Sequence, residues 1–155
     1  MEQEIQLNDH NKQEYPPMHT CEHIINRTMM NLFHCKRSVS AHIERKKSKL
    51  DYILESCPTE ADVERLEKAV NEVIGQHLDV ATEFITQDEA QGRFDMKRLP
   101  DDASEMVRIV KVGDYDDCLC IGTHVANTSE IGTFKIISND WDEEAKRWRI
   151  RFKLV

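Results

Sequence analysis

Two couples of metal-ligating residues, near opposite ends of the chain, restrict the folds open to it. His19-Thr-Cys-Glu-His23 lies near the start and Cys120-Ile-Gly-Thr-His124 near the end. Each couple has i, i+4 spacing. On a helix that spacing sets both side chains on one face, about one turn apart. A soft thiolate with three imidazoles suits a tetrahedral Zn²⁺ site. A shared site requires a fold that brings the two couples together. The competing explanations are ordinary: a histidine on an apolar helix face is often a packed core residue, and a free cysteine is often a small buried hydrophobe.

The chain has 155 residues, which suits one domain. Pro16-Pro17 closes off a polar start, so we expect a loose arm over 1–17 and a single metal-binding domain over 18–155. No apolar run approaches the roughly 20 residues that a membrane helix needs. The first residues lack a basic segment followed by an apolar stretch, so a secretory signal is not expected. A cytoplasmic location follows as the default. The 5 cysteines are an odd number without the density of a small secreted scaffold. They read as free thiols or metal ligands.

A net charge of −8 argues against general nucleic-acid binding, since phosphate contacts need local Lys and Arg. The charge is uneven, however. Lys36, Arg37, Arg45, Lys46, Lys47 and Lys49 fall in one short stretch. That stretch is either a solvated hairpin tip or a local phosphate-binding patch.

Hydrophobic spacing predicts a helix from His19 to about His34. A hairpin follows, with Val39, Ala41 and Ile43 alternating before the basic turn and Leu50, Tyr52 and Leu54 after it. Thr59 is placed to cap a second helix. Val63, Leu66, Val70, Val73 and Ile74 form its stripe, and Gly75 marks its end. Strands are expected at 80–85 and 107–112, a short helical turn at 86–92 and a loop at 93–105. A second hairpin is expected around the acidic turn between residues 133 and 155. This order predicts an α+β fold in two layers, a mostly antiparallel sheet with helices packed on one face.

The segment Cys120-Ile-Gly-Thr-His-Val-Ala-Asn-Thr-Ser-Glu-Ile-Gly132 resembles the Cys-Gly-Gly-Thr-His-Val-x-Asn-Thr-Gly-Glu-Ile-Gly signature of the alanyl-tRNA synthetase editing domain. Stand-alone trans-editing proteins share that signature, and the second additional domain of threonyl-tRNA synthetase is related. His19-x-x-x-His23-Ile-Ile is similar to the family's His-x-x-x-His-Leu-Leu helix. Val70 to Phe84, Val107 to Tyr115 and Gly132-Thr-Phe-Lys-Ile follow in the family's order. The resemblance spans about residues 18–155.

The resemblance implies metal ligation by His19, His23, Cys120 and His124. It implies a zinc-dependent hydrolase that cleaves the ester of misacylated tRNA, with Ser- or Gly-tRNA for alanine as substrate. Such a chain lacks the synthetase's other modules and would act in trans. Glu22 is the candidate base. Thr20, His42 and Thr123 are candidate substrate contacts, and Arg45, Lys46, Lys47 and Lys49 are candidate tRNA contacts. Misacylated tRNA is the expected partner, with neither DNA nor membrane.

Four departures crowd or recharge the pocket. Ile121 and Ser129 replace glycines of the signature. Glu22 stands where relatives often have Thr. Two residues before the metal cysteine the family usually has an acid, but here stands Cys118, with Asp117 adjacent. Two other readings stay open. One is a non-catalytic, zinc-stabilised module that binds RNA or protein. The other is a metallopeptidase, because His19-Thr-Cys-Glu22-His23 matches the inverted zincin motif with Glu22 as general base.

Overall fold

The computed structural model describes residues 15–86, 88–89, 106–120 and 123–155. Most of the expected arm lies outside the described residues, as do parts of the 86–92 turn and nearly all of the 93–105 loop.

The first helix, α1 (Pro16–Phe33), begins earlier than hydrophobic spacing predicts. Pro16 and Pro17, expected at the close of the arm, form the helix's first turn. There the missing N–H costs nothing and the fixed φ is already helical. The helix ends at His34, whose left-handed φ of 57° lets its N–H reach the Met30 carbonyl. Met18, Cys21, Ile24, Ile25 and Met29 are fully buried. The polar Thr20 is fully buried too, and Thr28 almost so. A helix covered on so many sides needs partners for its polar groups. Asn26 Oδ1 accepts from the Tyr52 hydroxyl at 2.7 Å and from Ser38 N at 3.1 Å.

The second helix, α2 (Glu60–Ile74), opens on a reciprocal cap. Asp62 N donates to the Thr59 hydroxyl and Thr59 N donates to the Asp62 carboxylate. Leu66, Val70, Val73 and Ile74 are its buried stripe.

The strands are β1 (Ser40–His42), β2 (Ser48–Ile53), β3 (Val80–Thr86), β4 (Met106–Val112), β5 (Asp116–Leu119), β6 (Phe134–Asp142) and β7 (Arg147–Leu154). The fold is α+β and antiparallel, as expected, but the strands form two sheets. One has the order β1-β2-β7-β6 and the other β3-β4-β5. Period-two alternation on β7 decides the layering. Trp148, Ile150 and Phe152 point inward and are fully buried, while Arg147, Arg149, Arg151 and Lys153 point outward. Leu50 lies opposite Ile150 and Tyr52 opposite Trp148, so β2 completes the inner face. Burying each such side chain contributes roughly 1.5–3 kcal/mol, which makes this face the main body of the core. A register shift between Ile136 and Ser138 turns Ile137 outward, where it is exposed.

A short 3₁₀ turn (Thr128–Glu130) carries the second half of the signature. Its residues join the chain rather than line a pocket. Thr128 donates to the Ile74 carbonyl and accepts from Leu78 N, which fastens the turn to the end of α2. Asn127 Nδ2 donates to the His77 carbonyl and to Asp79, and its Oδ1 accepts from Ser129 N. Glu130 accepts from Ala126 N and Asn127 N. Gly132 has φ +92°, and a Cβ there would stand 2.9 Å from the Val155 carbonyl oxygen, so glycine is required. Among the described residues no helix is long and apolar enough to cross a membrane.

Candidate metal centre

His19 is one turn into α1. Its couple with His23 is helical, as the spacing predicts. The second couple is not. Cys120 follows the end of β5 directly and His124 lies beyond it in a loop. Ile121 and Gly122 between them lie outside the described residues. Cys120 is pinned from both sides: its N–H donates to the Arg108 carbonyl, and its carbonyl accepts from Arg108 Nε at 2.9 Å. The loop is fastened to α1 by Thr20. That hydroxyl accepts from Val125 N at 3.0 Å and donates to the Pro16 carbonyl at 2.9 Å.

These anchors bring His19, Cys120 and His124 together, with one ligand atom of each within 4.8 Å of the others. Cys120 Sγ is 3.6 Å from His124 Nε2 and 4.0 Å from His19 Nε2. The His19 and His124 rings stack at 4.8 Å with an 11° tilt. His19 Nδ1 lies 3.3 Å from the Thr123 carbonyl, an arrangement that keeps the proton on Nδ1 and the Nε2 lone pair toward the sulfur. His23 is not in the closest triad. Its ring centroid is 4.8 Å from that of His124 and 6.1 Å from that of His19.

The donor set fits zinc. Bonds of about 2.0–2.1 Å to nitrogen and about 2.3 Å to sulfur, at a tetrahedral angle, set nitrogen and sulfur about 3.6 Å apart. The pair distances of 3.6 and 4.0 Å match that spacing and exceed ordinary hydrogen bonds between lighter atoms. The electrostatics agree. Burial disfavours a thiolate at Cys120, but His124, His19 and His23 outweigh it and hold the thiol down at about 3. Burial likewise opposes charge on His23, yet Asp116 and the neighbouring thiols raise it well above the usual histidine range. His124 is held below that range, first by burial and then by the other two rings. The three imidazoles thus keep Cys120 as a thiolate, the form in which cysteine ligates zinc.

The other expected site residues are scattered. Glu22 is buried, with Oε1 3.6 Å from His19 Nε2. Thr20 is fully buried and its hydroxyl both donates and accepts within the fold. Thr123 is exposed beside the triad, presenting its carbonyl to His19. His42 stands exposed on β1 against Glu44, in the sheet that does not lead to Cys120. Arg45, Lys46 and Lys47 are exposed at the β1–β2 turn and Lys49 is half-buried on β2. Arg45 places its guanidinium 4.6 Å from the Tyr15 ring centre, and Tyr15 caps the end of α1 that bears His19. Arg37, grouped by sequence with this basic stretch, belongs elsewhere. It bonds Asp116 at 2.7 Å and the Asp117 carbonyl at 3.1 Å.

Asp116 is the residue that sequence reading missed. Its side chain is fully shielded, and Arg27, Arg37 and His23 converge on it. Its pKa lies below the usual carboxylate range, because His23 and Arg37 outweigh the penalty of burial. A signal existed. Asp116, Cys118 and Cys120 alternate at period two and so share one face of β5, whereas Asp117 faces away. A cavity of about 370 Å³ lies beside this acid, lined by Arg27, Lys111, Gly113, Asp114, Tyr115, Asp116 and Asp117. None of the four candidate ligands lines it.

Comparison with known proteins adds a family to this geometry. Residues 107–151 match the family described as the threonyl and alanyl tRNA synthetase second additional domain. The alanine–tRNA ligase of Fervidobacterium nodosum is 35% identical over 121 residues, covering 77% of this chain and 14% of the ligase. That of Halalkalibacterium halodurans is 35% identical over 122 residues, with the same two shares. That of Ligilactobacillus salivarius is 32% identical over 137 residues, 87% of this chain and 15% of the ligase. The chain therefore spans about a seventh of the length of these relatives.

Proposed function

We propose that this chain, similar over about three quarters of its length to alanine–tRNA ligases, hydrolyses the ester of misacylated tRNA at a zinc centre. The ligands in this reading are His19, His23, Cys120 and His124. Serine- or glycine-charged alanine tRNA is the substrate, met in the cytoplasm and cleaved without ATP. The observation that carries the reading is the meeting of His19, Cys120 and His124 from two distant couples within a chain related to alanine–tRNA ligases.

When bound, Zn²⁺ supplies positive charge that orients the ester or polarises its carbonyl. The chain's own residues do the rest. Glu22, beside His19, takes a proton from the attacking water. The water oxygen bonds to the ester carbonyl carbon, the bond from that carbon to the ribose oxygen breaks, and the proton passes to the ribose oxygen. Thr123, exposed beside the triad, is the candidate contact for the serine hydroxyl. His42, on the other sheet, and Thr20, whose hydroxyl is engaged, are weaker candidates. With serine as substrate, alanine is spared if the site depends on that polar contact, since an unpaired polar group disfavours the analogue that lacks its partner; with glycine as substrate, alanine is spared by a pocket too tight for larger side chains. Arg45, Lys46, Lys47 and Lys49 contact tRNA phosphates, and the packing of Arg45 on Tyr15 supports this by linking the basic turn to the start of α1.

The metallopeptidase reading loses ground to this one. It needs a downstream Glu as third ligand and leaves Cys120 and His124 unused, yet these are the residues packed against His19. The test is deacylation of serine-, glycine- and alanine-charged alanine tRNA by the isolated chain, and so in trans. Zinc-loaded wild type is expected to accelerate the first or second and spare the third, and Cys120→Ala to lose the activity. If no charged tRNA is cleaved, including serine-charged threonine tRNA, the non-catalytic metal module becomes the better account.

A further inference from the structure

Asp116 is a buried acid that no step of the proposed hydrolysis uses. Its two oxygens have different partners. Oδ1 accepts from Arg27 Nε at 2.9 Å and Arg37 Nη2 at 2.7 Å. Oδ2 faces His23 Nδ1 at 3.4 Å, with Arg37 Nη1 at 3.5 Å. Two arginines already neutralise the carboxylate, so charge balance alone does not explain the histidine. With Nδ1 turned to Asp116, Nε2 is left as the nitrogen available to a metal, in a ring whose centroid is 4.8 Å from that of His124. A carboxylate that holds one nitrogen of a ligating histidine fixes both its tautomer and its orientation.

We propose that Asp116 is the positioning residue of the metal centre, its Oδ2 holding His23 Nδ1 so that the second ring nitrogen faces Cys120. The inference rests on the metal reading above and deepens it. It also accounts for one departure from the signature. The resemblance implies an acid two residues before the metal cysteine, as the family usually has, where Cys118 stands here. Residues 116, 118 and 120 share a face of β5 and its continuation. Asp116 thus restores the carboxylate two residues further along the same face. The arginine clamp, one arm from α1 and one from the segment after it, holds the acid in that more distant place.

The test compares wild type, Asp116→Asn and the relocated pair Asp116→Ser with Cys118→Glu. Zinc affinity is read by competition with a chromophoric chelator. The tautomer of His23 is read from ring ¹⁵N shifts in zinc-free protein at a pH high enough to leave the ring neutral, since its pKa is raised. We expect Asp116→Asn to weaken zinc binding by about 10–100-fold and to reduce the Nδ1–H form of His23. The relocated pair is expected to recover most of the affinity. A purely structural ion pair gives another pattern: a lower melting temperature with zinc affinity and the His23 tautomer unchanged, and that result overturns the proposal. If Asp116→Asn does not fold, Arg37→Gln keeps the carboxylate and loosens it. A smaller shift of the His23 tautomer in the same sense is then expected, and no shift overturns the proposal. A wild type that takes up no zinc refutes the metal reading, while the zinc-free tautomer still decides the role of Asp116.

Discussion

Asp51 projects from β2 on the side away from the helices, yet its side chain is only 2% exposed. Arg149 grips both its oxygens, at 2.7 and 2.9 Å, and Arg147 adds a hydrogen bond at 3.2 Å. The Arg149 hydrogen bond, with both arginine charges, holds the carboxyl below its ordinary value of 3.8 against the opposing effect of burial. The folded value is thus lower than the unfolded one. The stabilisation is complete above the ordinary value and is lost as pH falls through the depressed one. Asp51→Asn is expected to cost roughly 1–3 kcal/mol near neutral pH, as charge-assisted bonds do. In urea titrations the gap between variant and wild type is expected to close in strong acid. A gap that stays constant down to that range contradicts the assignment. The pairing is not legible in the sequence, because it depends on strand register: Asp51 lies opposite Arg149 only once β2 and β7 are paired. The same holds for Asp116. Donor chemistry is local and makes His19, His23, Cys120 and His124 candidates from sequence alone, but an acid's role depends on which face of a strand it occupies. Asp117 is nearer to Cys118 in sequence, whereas Asp116 shares its face of β5.

At the scale of elements, local signals carry furthest where they are physically self-sufficient. The Thr59 cap and the stripe from Val63 to Ile74 specify α2 without help from the rest of the chain. The start of α1 is harder to read because two prolines in a row resemble an ending, whereas in a first turn they are well placed. The division of strands into two sheets is not readable at all. β3 and β4 pair over seven residues, and β5 extends them. Nothing in their alternation says that they avoid β6 and β7. The Asn127-Thr-Ser-Glu130 segment reads in the sequence as part of a functional signature. Its hydrogen bonds show a second duty, tying the loop after His124 to the end of α2. That tie, with the Thr20 bond to Val125, is what lets a loop hold one half of the candidate metal site against a helix holding the other.

Across the whole molecule the charge is divided. The chain carries −8, yet the β1–β2 turn and the outer side of β7 are basic. Much of the β7 row is engaged: Arg147 and Arg149 by Asp51, and Arg151 by Asp140 at 2.6 Å. Lys46 and Lys47 are exposed at the turn. Neutralising Arg45, Lys46, Lys47 and Lys49 together is expected to weaken tRNA binding. It should also flatten the dependence of log affinity on log salt by about 0.7–0.9 for each phosphate that is no longer neutralised. An unchanged slope assigns the patch to solvation. In the proposed reading this surface would bring the tRNA to the two couples, where one zinc ion held between the two ends of the chain would make an ester-cleaving site. The decisive measurement follows hydrolysis of serine-charged alanine tRNA before chelation, after zinc is stripped, and after zinc is restored. The expected rate falls to the uncatalysed level and returns with the metal. A stripped protein that cleaves the ester at the original rate contradicts the zinc-dependent mechanism.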